Sequence, residues 1–292
     1  MENRNEKDGL DMIQDIEPKK LDNQYKNRQA KKGDIVFCFW ENQILLRGEK
    51  DNLQFPRYEQ LETGADCRYL FSIDEQEFYL FMEEKQLSIP GFSYEKMFQV
   101  RSYEPKEQVF AAATAYHLYV WYRDNKFCGR CSCPLVHDEV QRMLKCACGN
   151  LVFPKIAPAV IVGVVNGDKL LMTKYANREY KRYALIAGFT EIGETPEQTV
   201  EREVLEEAGV RVKNIRYYKS QPWGFDSNLL LGYFVELDGD SHITMDTEEL
   251  STAEWISRES IEVEQDDRVN LSLTREMMLL FKDAEAYEKS FG

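Results

Sequence analysis

The stretch from Gly188 to Val210, GFTEIGETPEQTVEREVLEEAGV, restricts what this chain can be more than any other part of it. Glu203, Glu206 and Glu207 have i, i+3 and i+4 spacing, which on a helix sets all three within an arc of about 100°. Val200, Val204, Leu205 and Ala208 fall on the other side and are expected to pack on a sheet. The ends of the helix are marked as well. Thr195 is placed as an N-cap, with Gln198 completing a capping box, and Pro196 suits the first helical position. Gly209 suits the residue just past the end. Like charges at i, i+4 destabilise an ordinary helix. A hard divalent cation, Mg²⁺ or Mn²⁺, removes that conflict by taking carboxylate oxygens while leaving positions for water and phosphate oxygens. From the three acids alone, a solvated acidic face is the simpler account.

Composition narrows the classes further. A chain of 292 residues with 43% hydrophobic content supports two domains with real cores. No apolar run approaches the roughly 18 residues of a membrane span, and the charged N-terminus lacks a signal-peptide core. A cytoplasmic protein with no membrane partner is expected. The net charge of −14 argues against broad electrostatic binding to nucleic acid. Five of the seven cysteines fall between residues 128 and 148, a clustering that points to a metal and not to a disulfide scaffold. Cys38 and Cys67 stand apart and read as buried thiols.

Taken in order, residues 1–30 are polar and expected to be mostly disordered, with a short helix near Met12. Residues 31–124 read as a small β-rich domain with one helix. Ile35–Trp40 and Ile44–Leu46 form one hairpin, turning at Glu41-Asn42, and Cys67–Ile73 and Phe78–Met82 form another. Pro105–Arg123 is helical, with Val109, Phe110, Ala113, Leu118 and Val120 apolar, and His117 is expected to pack and not to ligate.

Residues 125–154 read as a zinc ribbon. Cys128 and Cys131 form a CxxC knuckle whose intervening glycine eases the turn, and Cys146 and Cys148 form the return pair. Two thiolate pairs supply what tetrahedral Zn²⁺ requires, with no open position, so the metal is structural. The second pair is CxC and not CxxC, which leaves Cys133 and His137 as alternative ligands.

From residue 155 to 292 strands alternate with helices. Ile156–Val165 turns at Asn166-Gly167 into Lys169–Met172, Lys174–Tyr183 is a polar loop, and Tyr183–Ala187 leads into Gly188. Val212–Ser220, Leu229–Leu237 and Ala253–Ile256 follow as strands, then an amphipathic helix over Leu271–Tyr287. The class is α/β, an α/β/α sandwich around a mixed sheet.

The stretch 188–210 matches every fixed position of the Nudix box, G-x5-E-x7-R-E-U-x-E-E-x-G-U, and so resembles the Nudix hydrolases. Residues 220–228, SQPWGFDSN, resemble the SQPWPFPxS signature of the NADH pyrophosphatase branch, with Gly224 and Asp226 at two proline positions and Asn228 at a serine position. The order of N-terminal domain, ribbon, Phe153–Pro158 junction, box and SQPW matches that branch.

The resemblance implies metal-dependent hydrolysis of the pyrophosphate of NAD(H) to AMP and the nicotinamide mononucleotide. It implies that Glu203 and Glu207 bind Mg²⁺ or Mn²⁺ with one glutamate downstream, Glu249, or Glu248 as its rival. Glu206 contributes to the metal shell, either Glu206 or Glu207 takes the proton from water, and Arg202 pairs with Glu194 to brace the loop. Phe153 and Phe189 fall where aromatic residues hold a ring, the alternative being core packing. Ala187 lies at a backbone contact. Ser272 either touches substrate or only starts its helix. Gln221, Pro222, Trp223, Gly224, Phe225, Asp226, Ser227 and Asn228 form a loop that shapes a site at a homodimer interface. The same bond in an NAD cap on RNA, ADP-ribose or a diadenosine polyphosphate are the alternative substrates. A non-catalytic nucleotide sensor is the remaining reading.

Overall fold

The computed structural model describes residues 12–176, 182–262 and 272–291. The chain divides into two compact units. One comprises Ile13–Ile156 with Trp223–Ser227, and the other is built from Ala157–Pro222 and Asn228–Gly292.

The first unit opens with β1 (Leu21–Asp22), β2 (Ile35–Phe37), β3 (Phe39–Trp40) and β4 (Gln43–Leu46), then β5 (Cys67–Ile73), β6 (Gln76–Phe81) and β7 (Ser93–Lys96). These form two sheets, in the orders β1-β5-β6-β2 and β3-β4-β7. The apolar run from Ile35 to Trp40, expected as one arm of a hairpin, is split at Cys38. β2 runs parallel to β6, whereas β3 makes the hairpin with β4. Val36, Cys38 and Leu45 are buried in one cluster, while the Phe37 ring meets Phe55 and Phe78. With both faces buried, no period-two alternation marks the change of sheet. Cys67, expected to be buried, is half-exposed.

The expected disorder of residues 1–30 does not extend over the described part. Residues 1–11 lie outside the described residues, Ile13 is buried, and Leu21 pairs with Ile73. From Met12 onward the described residues make a turn at Ile13-Gln14, and the earlier part of the stretch where a short helix is expected lies outside the described residues. Polar ties such as Lys26–Asp22 at 2.5 Å and Arg28–Glu77 hold this segment. They carry no apolar periodicity that a sequence pattern could reveal.

Two helices follow, α1 (Met97–Val100) and α2 (Lys106–Asp124), the latter starting after Pro105 and burying Val109, Phe110, Ala113 and Leu118. Val120 is only half-buried, and His117 packs with Nε2 2.7 Å from the Lys155 carbonyl. The ribbon strands β8 (Val136–His137), β9 (Leu144–Lys145) and β10 (Leu151–Val152) are antiparallel. The separate domain expected at 125–154 belongs to the same unit as the preceding strands. Tyr122 bonds His137 at 2.7 Å, and Arg142 donates to Asn23 at 2.8 Å.

The second unit contains β11 (Ala157–Asn166), β12 (Lys169–Tyr175), β13 (Ile186–Phe189), α3 (Pro196–Ala208), β14 (Val212–Trp223), β15 (Asn228–Leu237), β16 (Leu250–Ser257), α4 (Leu273–Lys282) and α5 (Ala284–Phe291). The sheet order is β14-β15-β11-β12-β16, with β13 joined to β11. β11 is parallel to β15 and antiparallel to β12 and β13, so the sheet is mixed as expected.

Val160, Val162 and Val164 pack with Val200, Val204 and Ala208 of α3. On the opposite face, a Cβ at Gly232 would meet Met277 and Leu273 of α4 at 2.9 and 3.2 Å. Both faces of the sheet are therefore covered, which accounts for the unbroken apolar run of β11. Burial of each α3 valine contributes about 2 kcal/mol. Leu205, expected in this core, is 51% exposed. It lies about 100° around the helix from Val204, beyond the buried arc.

The polar loop expected from Lys174 begins after Tyr175, and residues 177–181 lie outside the described residues. The helix expected over Leu271–Tyr287 is broken at Asp283, whose carboxylate accepts the Ala286 N–H at 3.0 Å. Residue 271 lies outside the described residues. Among the described residues, no helix is long and apolar enough to cross a membrane.

Candidate active site

The loop and helix that carry the acids are locked at both ends. The Thr195 hydroxyl accepts the Gln198 N–H at 3.3 Å, and Gln198 returns the bond to the Thr195 N–H at 2.9 Å. Gly209 takes φ of +69°, the left-handed conformation that ends a helix. Arg202 stands at the centre of the arrangement. Its fork donates to both oxygens of Glu194 at 2.6 and 3.0 Å, to Glu203 at 2.7 Å, to Glu206 at 3.0 Å and to the Phe189 carbonyl at 2.9 Å. One guanidinium thus fastens the helix to the loop before it and to the end of β13.

Glu203 is 9% exposed and Glu207 2% exposed, whereas Glu206 faces solvent. Burial raises the Glu203 pKa, Arg202 opposes that shift, and the charges of Glu206 and Glu249 add to it. A site that penalises its own acids in this way favours a cation beside them. Glu249 is exposed and acts on Glu203 through its charge. Glu248 instead has its backbone N–H bonded to Asp246 at 2.8 Å.

Gly188 is required by close approach. A Cβ there would lie 1.9 Å from the Glu203 carboxyl carbon. Gly188→Ala is therefore expected to displace the Glu203 carboxylate. Turnover should fall at least about tenfold, with only about 1–3 kcal/mol of stability lost. Thermal melts beside initial rates separate the two effects.

Glu194 is held at a pKa of about 2, first by the Arg202 hydrogen bonds and then by the Glu191 N–H. A depressed carboxylate pKa contributes stability above the unfolded value of about 4.3 and loses it as pH falls toward the folded value. Acid titration should show the loop loosening between those limits. The Glu194→Gln variant should lack this component; an unchanged acid transition in it would contradict the assignment.

Other expected contacts divide into open and packed positions. Ala187 lies on β13 opposite Ile161. Phe189 and Phe153 are 55% and 53% exposed, so neither is a core ring. Ser272 is an N-cap, its hydroxyl accepting the Arg275 N–H at 3.4 Å. Gln221 is fully buried and its side-chain oxygen accepts the Leu273 N–H at 2.8 Å, so in this structure it holds the start of α4 and offers no open surface.

Pro222 is exposed, and Trp223, Ser227 and Asn228 are half-buried. Gly224 and Phe225, also expected as contacts, are packed away. A Cβ at Gly224 would lie 2.1 Å from the Ala113 carbonyl oxygen, so the proline usual at this position in the branch could not fit this path. Phe225 is 9% exposed and meets Phe98 edge-on. Asp226, at the other proline position, accepts the Trp223 indole N–H at 3.0 Å. Sequence reasoning did not foresee this internal tie.

In the first unit, the sulfurs of Cys128, Cys131, Cys146 and Cys148 lie within 4.8 Å of one another. Two cross-pairs are 3.4 and 3.7 Å apart, near the edge of about 3.8 Å that a tetrahedron of 2.3 Å Zn–S bonds requires. The Arg130 N–H leads in lowering the Cys128 thiol to about 6. The CxC spacing therefore does not prevent convergence. Cys133 stands outside the cluster, and its carbonyl accepts the Cys128 N–H at 2.8 Å. His137 is engaged by Tyr122, which removes both alternative ligands. The left-handed residue of the first knuckle is Ser132, with φ of +59°, and not the intervening glycine.

Residues 155–277 match the NUDIX domain family. This part of the chain is a Nudix domain. The NAD-capped RNA hydrolase NudC of Klebsiella pneumoniae subsp. pneumoniae is 39% identical over 145 residues, covering 49% of this chain and 56% of that protein. The protein of the same name from Citrobacter koseri is 38% identical over the same length and shares. The chain thus spans about half the length of the curated relatives it matches. A NUDIX hydrolase structure from Nitrosomonas europaea aligns with 55% of this chain and 92% of its own, at 21% identity and a TM-score of 0.46.

Proposed function

We propose that the chain hydrolyses the pyrophosphate bond of NAD(H), giving AMP and the nicotinamide mononucleotide, with Mg²⁺ or Mn²⁺ at the acids and Zn²⁺ in the ribbon. The observation that carries this reading is the Glu203 carboxylate seated against Gly188, with Glu206 and Glu207 one turn on and Arg202 bracing all but Glu207. The hard oxygen donors fit a hard cation, and Glu203, Glu207 and Glu249 would hold it. Bound there, the cation supplies charge that offsets negative charge developing on the phosphates.

The chain's own groups supply the rest. Glu206 or Glu207 takes the proton from the attacking water, a contribution of about 10²–10⁴ in rate. Arg202 and Glu194 keep the acids in register with the loop. The exposed Phe189 ring offers a flat surface to the dinucleotide, and the Ala187 backbone and Ser272 offer polar contacts. The four thiolates fit Zn²⁺ in a closed, structural role. A homodimer belongs to the same reading, supported by the resemblance of residues 220–228.

A second reading is favoured by the names of the relatives, which describe NAD-capped RNA hydrolases. The net charge of −14 weighs against it. Product chromatography over NADH, NAD⁺, ADP-ribose, a diadenosine polyphosphate and a short NAD-capped RNA decides between them. The first reading expects the free dinucleotide to have the highest kcat/KM. Efficient cleavage of the capped RNA alone would replace it with the second.

A further inference from the structure

A cleft of about 670 Å³ lies wholly within the first unit, between β3, β5, β6, α2 and the ribbon. That volume suits a small organic ligand. Its walls include the rings of Trp40, Phe81, Tyr119, Tyr122 and His137, together with Arg68. None of these residues takes part in the proposed hydrolysis.

Most of the charges around the cleft are paired locally. Lys126 pairs with Glu84, Arg123 grips Asp124 through two bonds of 2.7 and 3.2 Å, and Glu83 pairs with Lys85 at 3.0 Å. Glu41 is exposed at its turn. Arg68 is different: it is half-buried, makes no ion pair among the described residues, and its Nε is sealed from solvent with no hydrogen-bond partner.

His137 cannot neutralise Arg68. The Asp138 carbonyl only accepts, so Nδ1 carries the proton and Nε2 accepts from the Tyr122 hydroxyl at 2.7 Å. The Tyr122 proton is thereby committed to His137. A guanidinium partly removed from water without a partner is costly, and a bidentate anion offsets that cost. Tyr119, stacked on one side by Phe39, and Tyr122, stacked on one side by His137, add aromatic wall against which a flat ring can pack.

We propose that this cleft binds a small aromatic anion, a planar ring bearing a carboxylate or phosphate, with Arg68 on the anion and the two tyrosines against the ring. Calorimetry on the full chain with phenyl phosphate, benzoate, phenol and inorganic phosphate tests it. One of the two ring-bearing anions should bind saturably, and which one does so identifies the acid group. Phenol and inorganic phosphate should each bind at least about tenfold more weakly, because each lacks half of the recognised chemistry.

Arg68→Gln and Tyr119→Leu should each weaken the aromatic anion at least about tenfold, and Arg68→Lys should restore part of the loss. Dinucleotide hydrolysis should be unchanged in all three variants. Failure of both aromatic anions to saturate by about 10 mM would overturn the proposal. So would equal binding to wild type and Arg68→Gln.

Discussion

Glu207→Gln is expected to lower turnover of the dinucleotide by about 10²–10⁴ with the fold intact, because it removes a metal-binding charge or the general base while keeping shape. The side chain is 2% exposed, so the amide occupies a space already formed around the acid. Glu207 also sits on the helix arc that packs against the sheet, beside Val204 and Ala208. The amide keeps the shape of the side chain, so the melting temperature should stay close to that of the wild type. A fall in kcat with an unchanged melt supports the proposed role. Near-normal kcat would remove Glu207 from the chemistry.

The second large effect is expected at the cysteines. The ribbon has three two-residue strands, too little apolar surface to hold itself together. Structural zinc supplies about 10–16 kcal/mol of apparent binding energy in small modules. Cys128→Ser should therefore reduce zinc from one per chain to near zero and lower the melting temperature by roughly 10 °C or more. Elemental analysis beside thermal melts reads both quantities. A wild-type protein that carries no zinc and melts identically with a strong chelator would contradict the assignment.

Much of the second unit was legible from residue 155 onward because its signals are local. Thr195, Pro196, Gln198 and Gly209 announce a helix by capping chemistry, and the structure uses each as expected. Asn166-Gly167 likewise announces the β11–β12 hairpin, with Gly167 at φ of +62°. The Arg202–Glu194 pair was legible through the box resemblance, and its bonds to Glu203, Glu206 and Phe189 were not.

The less legible features are those set by distant parts of the chain. Nothing near Cys38 shows that β2 leaves β3 for a parallel partner 43 residues away in sequence, at Phe78 and beyond. Gln221 reads as part of a substrate loop, yet its partner is Leu273, which no local pattern connects to it. Gly224 looks like a weakened signature until the Ala113 carbonyl is placed beside it. Leu205 was misplaced by one helical step, since apolar character alone does not say where the buried arc ends.

Identification of the products of NADH is the most direct measurement. Purified protein with Mg²⁺ or Mn²⁺ should convert NADH to equal amounts of AMP and reduced nicotinamide mononucleotide, as separated by chromatography. The products should vanish without the divalent cation and fall with Glu207→Gln. If NADH and NAD⁺ both remain intact with either cation, the proposal of dinucleotide pyrophosphate hydrolysis is wrong for this chain.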